Sequence, residues 1–293
     1  MATIGIIGYG IVGKATAHSL RKPGNIILWY DRFKREDGAE QSRPLDDVIR
    51  NSEFLFVCLP TESVFDPKEK RGIDLQIIDE NIHEIDKRAA GTNKVVIIKS
   101  TVVPGTTDRY TQLYPRTLFC FNPEFLTEAN YLHDAANPDR IVIGAGNDHV
   151  SLRVTDLYRN SFPSTPVYRT DPTTAEMVKY MANCYLATKV LFANEMYDLC
   201  NGLGIKYEEV KSMVVADKRI EDTHLDVTTI RGFGGKCFPK DMIALLGLCR
   251  ELGIDASLLD TVWEKNLRIR KKAPDGTYDW EKIDGVVSKK TDT

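Results

Sequence analysis

Residues 2–13 read ATIGIIGYGIVG, and this stretch decides the fold. ATIGIIG is a short apolar run of strand length, and the pattern after Gly13 is helical to about Arg21. Between them, Gly8-Tyr9-Gly10-Ile11-Val12-Gly13 fits GxGxxG, a motif that becomes informative when it leaves a strand and opens a helix. The first glycine permits the tight turn and the second lets a pyrophosphate approach the backbone. The third lets the helix pack close to the strand, and the helix N-terminus faces the negative charge. Asp31 closes the next apolar run, Asn25–Tyr30. A carboxylate there accepts hydrogen bonds from ribose hydroxyls and repels a 2′-phosphate, which favours NAD⁺ over NADP⁺. The plain alternative, a glycine turn beside a surface aspartate, leaves the strand–turn–helix context unexplained.

Outward from this stretch, apolar runs recur at Glu53–Leu59, Lys94–Lys99, Thr117–Phe121 and Arg140–Gly144. Helical patterns lie between them at Leu45–Arg50, Asp74–Ala90 and Gly105–Tyr114. Such alternation predicts βαβ units and an α/β, Rossmann-type, doubly wound parallel sheet. The character then changes. Asp171-Pro172 reads as a helix start, because Asp caps and Pro suits the first helical position. No Pro or Gly interrupts the pattern from there until Gly202 and Gly204, and further helices are expected at about 206–216, 239–252 and 256–271. The expected domains are 1–168, Rossmann-like; 169–272, helical and built on one long helix; and 273–293, a polar, weakly ordered tail.

Hydrophobic residues make up 42% and charged residues 28% of the 293, with a net charge of −3. That is ordinary for a globular protein and supplies no basic field for nucleic acid or acidic lipid. No apolar stretch approaches the roughly 20 residues needed to span a bilayer. No signal peptide is expected, and the six cysteines show no zinc or disulfide spacing, so a cytoplasmic protein with reduced thiols and no metal is expected. Five cysteines sit in apolar patterns and read as small core residues.

The sixth, Cys237, lies in GFGGKCFPKD, residues 232–241. Glycines let backbone approach a ligand, and Pro239 suits the first turn of a following helix. Cys237 is thus expected at a helix N-terminus between Lys236 and Lys240, where a thiol ionises readily and becomes nucleophilic. Lys179 and Asn183, four apart on the long helix, share a face that apolar neighbours (Met177, Val178, Met181, Leu186) mark as inward. They are candidates to stabilise an oxyanion; equally, such a pair is often an ordinary solvated one. Asn122-Pro123-Glu124-Phe125-Leu126-Thr127-Glu128 follows a strand at the edge where α/β sheets bind ligands. Glu124 and Glu128 there suit the handling of water or substrate, or Glu128 simply favours a helix start. Thr101 follows another strand and is expected to reach the same cleft, and Thr61, after the Glu53–Leu59 run, is expected to touch the cofactor.

In this order, GYGIVG, Asp31, LPT, STVVPGTT, NPEFLTEA, AEMVKYMANCYLATKVLFANE, DKRI and GFGGKCFPKD, the chain resembles the UDP-glucose/GDP-mannose dehydrogenase family from residue 1 to about 270. The resemblance implies NAD-dependent, four-electron oxidation of a nucleotide sugar, UDP-glucose to UDP-glucuronate, with two NAD⁺. Cys237 would capture the aldehyde as a thiohemiacetal that becomes a thioester. Asp241 and Thr101 would position water, Lys179 and Asn183 would stabilise oxyanions, and Glu124 and Glu128 would handle protons or water. The cofactor would also meet Gly8–Gly13, Asp31, Thr61, Thr101, Glu128 and Lys240. The sugar nucleotide would meet Glu124, Phe125, Leu126, Lys179, Asn183, Phe233 and Gly234. Arg219 would reach the sugar nucleotide of a neighbouring subunit, and the long helix would form a homodimer core. This sequence departs from the family at Glu62, Thr127 and Arg231, and against the family's length no counterpart of its third, nucleotide-binding domain is expected within these 293 residues. A weak grip on UDP is the expected consequence.

Two other functions compete: a two-electron dehydrogenase of the β-hydroxyacid type, and a non-catalytic protein that binds NAD or a nucleotide sugar. Neither needs a nucleophilic cysteine.

Overall fold

The computed structural model describes residues 2–38, 40–65, 71–272, 276–278 and 286–287. In chain order the elements are β1 (Thr3–Ile7), α1 (Ile11–Leu20), β2 (Ile26–Tyr30), β3 (Glu36–Asp37), β4 (Glu40–Gln41), α2 (Leu45–Asn51), β5 (Phe54–Val57), β6 (Glu62–Phe65), β7 (Arg71–Asp74), α3 (Gln76–Ala89), β8 (Val95–Ile98), α4 (Thr106–Leu113), β9 (Leu118–Phe121), α5 (Tyr131–Ala136), β10 (Ile141–Gly144), α6 (Asp148–Ser161), β11 (Val167–Thr170), α7 (Pro172–Gly202), α8 (Tyr207–Val214), α9 (Phe238–Glu251), α10 (Ser257–Ile269) and β12 (Val286–Val287). They fall into two units: Met1–Thr61 with Asp74–Lys179, and Glu62–Ile73 with Tyr180–Thr293. The division runs through α7, between Lys179 and Tyr180.

The first unit is a seven-stranded sheet in the order β11-β10-β9-β8-β5-β1-β2. Its central strands are apolar on both faces; FLFV in β5 and VVII in β8 are buried throughout. Two cores result. Ile4, Ile6 and Phe56 pack with Leu20, Val154 and Tyr158 of α1 and α6. Ile7, Leu55 and Val96 pack with Val48, Ile82 and Tyr110 of α2, α3 and α4. A sheet whose central strands are buried on both faces needs helices on both, which is why the alternation read as doubly wound. The expected all-parallel pairing needs one correction. β9 and β10 are antiparallel, so β10 and β11 run against the other five strands. The connection between β9 and β10 carries only the six-residue α5 and a short 3₁₀ turn at Glu128–Asn130. Six helical residues span only about 9 Å, too little to carry the chain back along the sheet. Instead α5 packs against α1.

The second unit is mainly helical. Its part of α7 packs with α8 around Ala193, Cys200, Tyr207 and Leu225, and the Tyr207 hydroxyl donates to the Leu225 carbonyl at 2.8 Å. The long helix begins as the sequence indicates: Asp171 Oδ1 accepts the Thr174 N–H at 2.8 Å, with Pro172 next to the cap. A three-stranded sheet, β12-β6-β7, belongs to this unit and was not expected from the pattern. Most of the expected 273–293 tail lies outside the described residues. Within it, Tyr278 is buried with its hydroxyl on the Leu267 carbonyl (2.8 Å), and Val286–Val287 pair with β6. Among the described residues no helix is long and apolar enough to cross a membrane, and no side-chain cluster suits a metal ion.

Candidate functional site

The glycine turn sits where β1 and β5 end side by side. Gly8 has φ +90°, and a Cβ there would stand 2.5 Å from the Cys58 carbonyl oxygen, so only glycine fits. A Cβ on Gly13 would stand 2.0 Å from the Gly8 carbonyl oxygen, which measures how closely α1 packs on the turn. Around Gly10 there is open space, with no atom within 4 Å of its would-be Cβ. Gly10 is also the N-cap of α1 and brings no capping side chain to the helix N–H groups. Space, helix start and uncapped donors fit a pyrophosphate.

Asp31 follows β2 and does structural work. Its Oδ2 accepts the Tyr9 N–H at 2.7 Å, and its Oδ1 accepts the Phe33 and Lys34 N–H groups at 2.9 Å each. Partial burial raises its pKa, but those three backbone donors and the Lys34 charge outweigh this and hold it below the usual carboxylate value. Ile11 is exposed, Val12 packs against the core, and Tyr9 stacks on Trp29 with centroids 4.1 Å apart.

Thr61 and Thr101 follow the neighbouring strands β5 and β8. Ser100 laces those strand ends: its hydroxyl accepts the Leu59 N–H at 2.8 Å and donates to the Val57 carbonyl at 3.2 Å. Thr61 is buried and Thr101 half-buried. The loop from Thr101 into α4 is anchored by a group the sequence reading missed. Glu176, fully buried, accepts the Gly105 N–H (2.6 Å), the Thr107 N–H (2.9 Å) and the Thr107 hydroxyl (2.6 Å). Burial pushes its carboxyl up to about 7 despite those donors. Its signal was available: Glu176 lies three residues before Lys179, on the helix face already expected to turn inward.

Glu124 and Lys179 form an ion pair buried on both sides. The Leu126 N–H adds a 2.9 Å bond to Glu124 Oε2. Burial raises the Glu124 carboxyl, but the Lys179 ammonium outweighs it and the net shift is downward. Beside this pair Lys99, also missed, donates to Asn122 Oδ1 at 2.8 Å, and burial pulls its ammonium down to about 8. Lys99, Asn122 and Glu124 line a cavity of about 330 Å³ whose wall also includes Phe125, Leu126 and Tyr158. Phe125 lies under the Arg140 guanidinium, 3.8 Å from its ring centroid. Glu128 is exposed at the start of the 3₁₀ turn. The inward marking of the Lys179 face by its neighbours is overturned at two positions: Met177 is 39% and Met181 69% exposed. The buried residues around them are Glu176, Lys179, Tyr180 and Cys184, and the two charged ones are held inward by polar partners.

In the second unit Cys237 is the N-cap residue of α9, half-buried, with Pro239 in the first turn. Its carbonyl accepts the Asp241 N–H at 2.9 Å. Asp241 is wholly buried, and its carboxylate takes the Asn183 amide at 2.5 Å and the Lys240 ammonium at 2.7 Å. Lys240, Asp241 and Asn183 thus form one cluster at the start of α9, one helical turn from Cys237, while Lys236 is exposed. The glycines before Cys237 are held from both sides. Asn266, fully buried, accepts the Phe233 N–H (2.8 Å) and donates to the Phe233 carbonyl (3.0 Å). Phe233 itself is buried beside Trp263 and Phe238, so Gly234, half-buried, is the more open of the two expected substrate contacts. Arg219 is an exposed residue bonded to Asp217. All six cysteines are unbridged; four are buried, whereas Cys249, expected in the core, is only partly so.

Residues 35–162 match the NAD binding domain and residues 173–268 the central domain of the UDP-glucose/GDP-mannose dehydrogenase family. Residues 1–66, which hold the glycine turn, match the NAD binding domain of D-isomer specific 2-hydroxyacid dehydrogenases. A UDP-glucose 6-dehydrogenase of Bacillus subtilis (strain 168) is 37% identical over 297 residues, covering 90% of this chain and 65% of that protein. One from Rickettsia bellii (strain RML369-C) is 35% identical over 231 residues, 75% of this chain and 50% of that protein. The structure of a UDP-glucose dehydrogenase from the hyperthermophilic archaeon Pyrobaculum islandicum aligns with a TM-score of 0.81 at 28% identity, covering 92% of this chain and 68% of that one. The chain spans 50% to 65% of the length of these curated relatives.

Proposed function

Because the chain belongs to the UDP-glucose/GDP-mannose dehydrogenase family, we propose that it oxidises the primary alcohol of a nucleotide sugar, UDP-glucose to UDP-glucuronate, through a thioester on Cys237. One alcohol, two NAD⁺ and one water give one carboxylate, two NADH and three protons. Bound NAD⁺ supplies the hydride acceptor for each oxidation. Gly10 and the α1 N-terminus hold its pyrophosphate, and Asp31 receives the ribose hydroxyls. Cys237 attacks the aldehyde carbon as thiolate, and the resulting thiohemiacetal loses a hydride to become a thioester. Asp241 accepts a proton from the water that cleaves it, and Lys179 and Asn183 supply positive charge and an amide donor to oxyanions. The observation that carries this reading is the buried Asp241 carboxylate one helical turn from Cys237, held by Asn183 and Lys240.

A second copy of the chain is the expected partner. Met177, Met181, Tyr185, Phe192, Leu199 and Leu203 recur at helical spacing along α7 and are 39% to 69% exposed, an apolar stripe suited to a homodimer.

NADH counted per molecule of UDP-glucose tests the reaction. Two NADH are expected from the native chain. Cys237→Ser should stop after about one per site, because a serine hydroxyl is far less ionised and its ester hydrolyses slowly. One NADH per substrate with full activity of Cys237→Ser would favour the two-electron chemistry, and none would favour a binding protein.

A further inference from the structure

Arg231 has φ +63°, and among the described residues only it and His224 combine a side chain with a positive φ. In that conformation a Cβ crowds the neighbouring carbonyl, so an arginine stays there only if something holds it. Its own side chain does. Nε donates to Asn194 Oδ1 at 2.6 Å, and Nη2 donates to Asp198 Oδ1 at 2.8 Å and to the Asn194 carbonyl at 3.2 Å. The guanidinium lies 5.1 Å from the Tyr197 ring centroid. All three partners are on α7. The grip passes to the next residue, because the same Asn194 oxygen accepts the Gly232 N–H at 3.2 Å. From α10, Asn266 crowds Gly232: a Cβ there would stand 2.4 Å from Asn266 Oδ1. Beyond α10, Arg270 donates to the Arg231 carbonyl at 2.9 Å.

We infer that Arg231 is a positioning residue that locks the entry of the Gly232–Cys237 turn onto α7 through its guanidinium fork, at the cost of local backbone strain. Asn194 is the shared bolt: one buried amide oxygen receives both the side chain of Arg231 and the backbone of Gly232. Displacing this entry moves Phe233 and Gly234 and changes how Cys237 is presented five residues later. The inference rests on the reading of Cys237 as the reacting thiol.

Two variants separate positioning from plain structural support. Arg231→Gly removes the fork and the strain together, so its melting temperature should stay near that of the native chain. Arg231→Lys keeps the strain and the charge but cannot reproduce the planar fork, and it should melt lower. In both, kcat for UDP-glucose oxidation should fall by about tenfold, the scale expected when a reacting group is slightly misplaced. The alkylation rate of Cys237 by iodoacetamide, followed on its own peptide by mass spectrometry, should change by about threefold or more. Alkylation and kcat within about twofold of the native chain in both variants would overturn the inference. So would a lowered melting temperature accompanied by an unchanged thiol rate. If the native chain oxidises no nucleotide sugar, the functional reading fails, and the alkylation rates still decide whether Arg231 positions the turn.

Discussion

Gly10 and Gly13 lie three residues apart in one turn, yet alanine should do opposite things at the two positions. At Gly13 the new Cβ would stand 2.0 Å from the Gly8 carbonyl oxygen and 3.2 Å from Ile6 Cγ2. The obstacle is backbone at the end of a buried strand, so α1 must back away by about 1 Å. Overpacking of this kind costs about 1–3 kcal/mol, and alanine returns about 1 kcal/mol as the better helix former. A carbonyl that cannot swing aside puts the cost at the upper end, for a net loss of about 2 kcal/mol. In a folding unit the size of the first one that lowers its melting temperature by about 4–8 °C. At Gly10 the Cβ meets nothing within 4 Å and φ is −77°, which any residue adopts. Losing glycine at the cap should cost under about 1 kcal/mol. The methyl would, however, fill the space over the α1 N-terminus and remove one or two backbone bonds to a charged group, weakening NAD⁺ by about tenfold or more. Calorimetric melts and NAD⁺ titration of the two variants are the assay. A Gly10→Ala chain that binds NAD⁺ like the native one would refute the placement of the pyrophosphate. A Gly13→Ala chain that melts at the native temperature would refute the packing argument.

Removing either partner of the Glu124–Lys179 pair leaves a buried charge without its counterpart. Glu124→Gln and Lys179→Met should each cost about 3–5 kcal/mol, and the double variant clearly less than their sum. Additive losses in urea melts would mean that the two groups do not act as a pair. Glu176 predicts a pH dependence. Its carboxyl, ordinarily near 4.5, is pushed up to about 7 in the fold, so the folded chain holds the proton more tightly than the unfolded one. Its contribution to stability is therefore full below about pH 4.5 and is lost as pH rises to about 7, up to about 3 kcal/mol across that window. Glu176→Gln has no proton to lose there and should flatten this part of the profile; an unchanged slope in the variant would count against it.

What the sequence made legible was the local grammar. ATIGIIG, VVII and the Asp171-Pro172 start carry their own signals in apolar runs, turns and caps, and they fold as read. So did the glycine turn and the position of Cys237 at a helix start. What it hid depends on partners far along the chain. Nothing near β10 says that it runs antiparallel; that follows from α5 being short. Residues 62–74 gave no hint that β6 and most of β7 would join the second unit. Glu176 and Arg231 look like solvated charges until the Thr101 loop and Asn194 are brought to them. The misreading of Met177 and Met181 has the same root, because a buried lysine with a carboxylate partner outranks an unpartnered methionine for an inward place.

The Asp31 carboxylate fastens the glycine turn through the Tyr9 N–H, and the proposed function also offers this carboxylate to a ribose. On that proposal recognition and scaffolding share one side chain, and neither can be revised alone. A substitution meant to admit a phosphorylated ribose would also unfasten the turn beneath the pyrophosphate, so the first step toward another coenzyme lowers affinity for both. Cofactor choice would then be guarded by architecture, and redesign would have to begin by giving the Tyr9 amide a different acceptor.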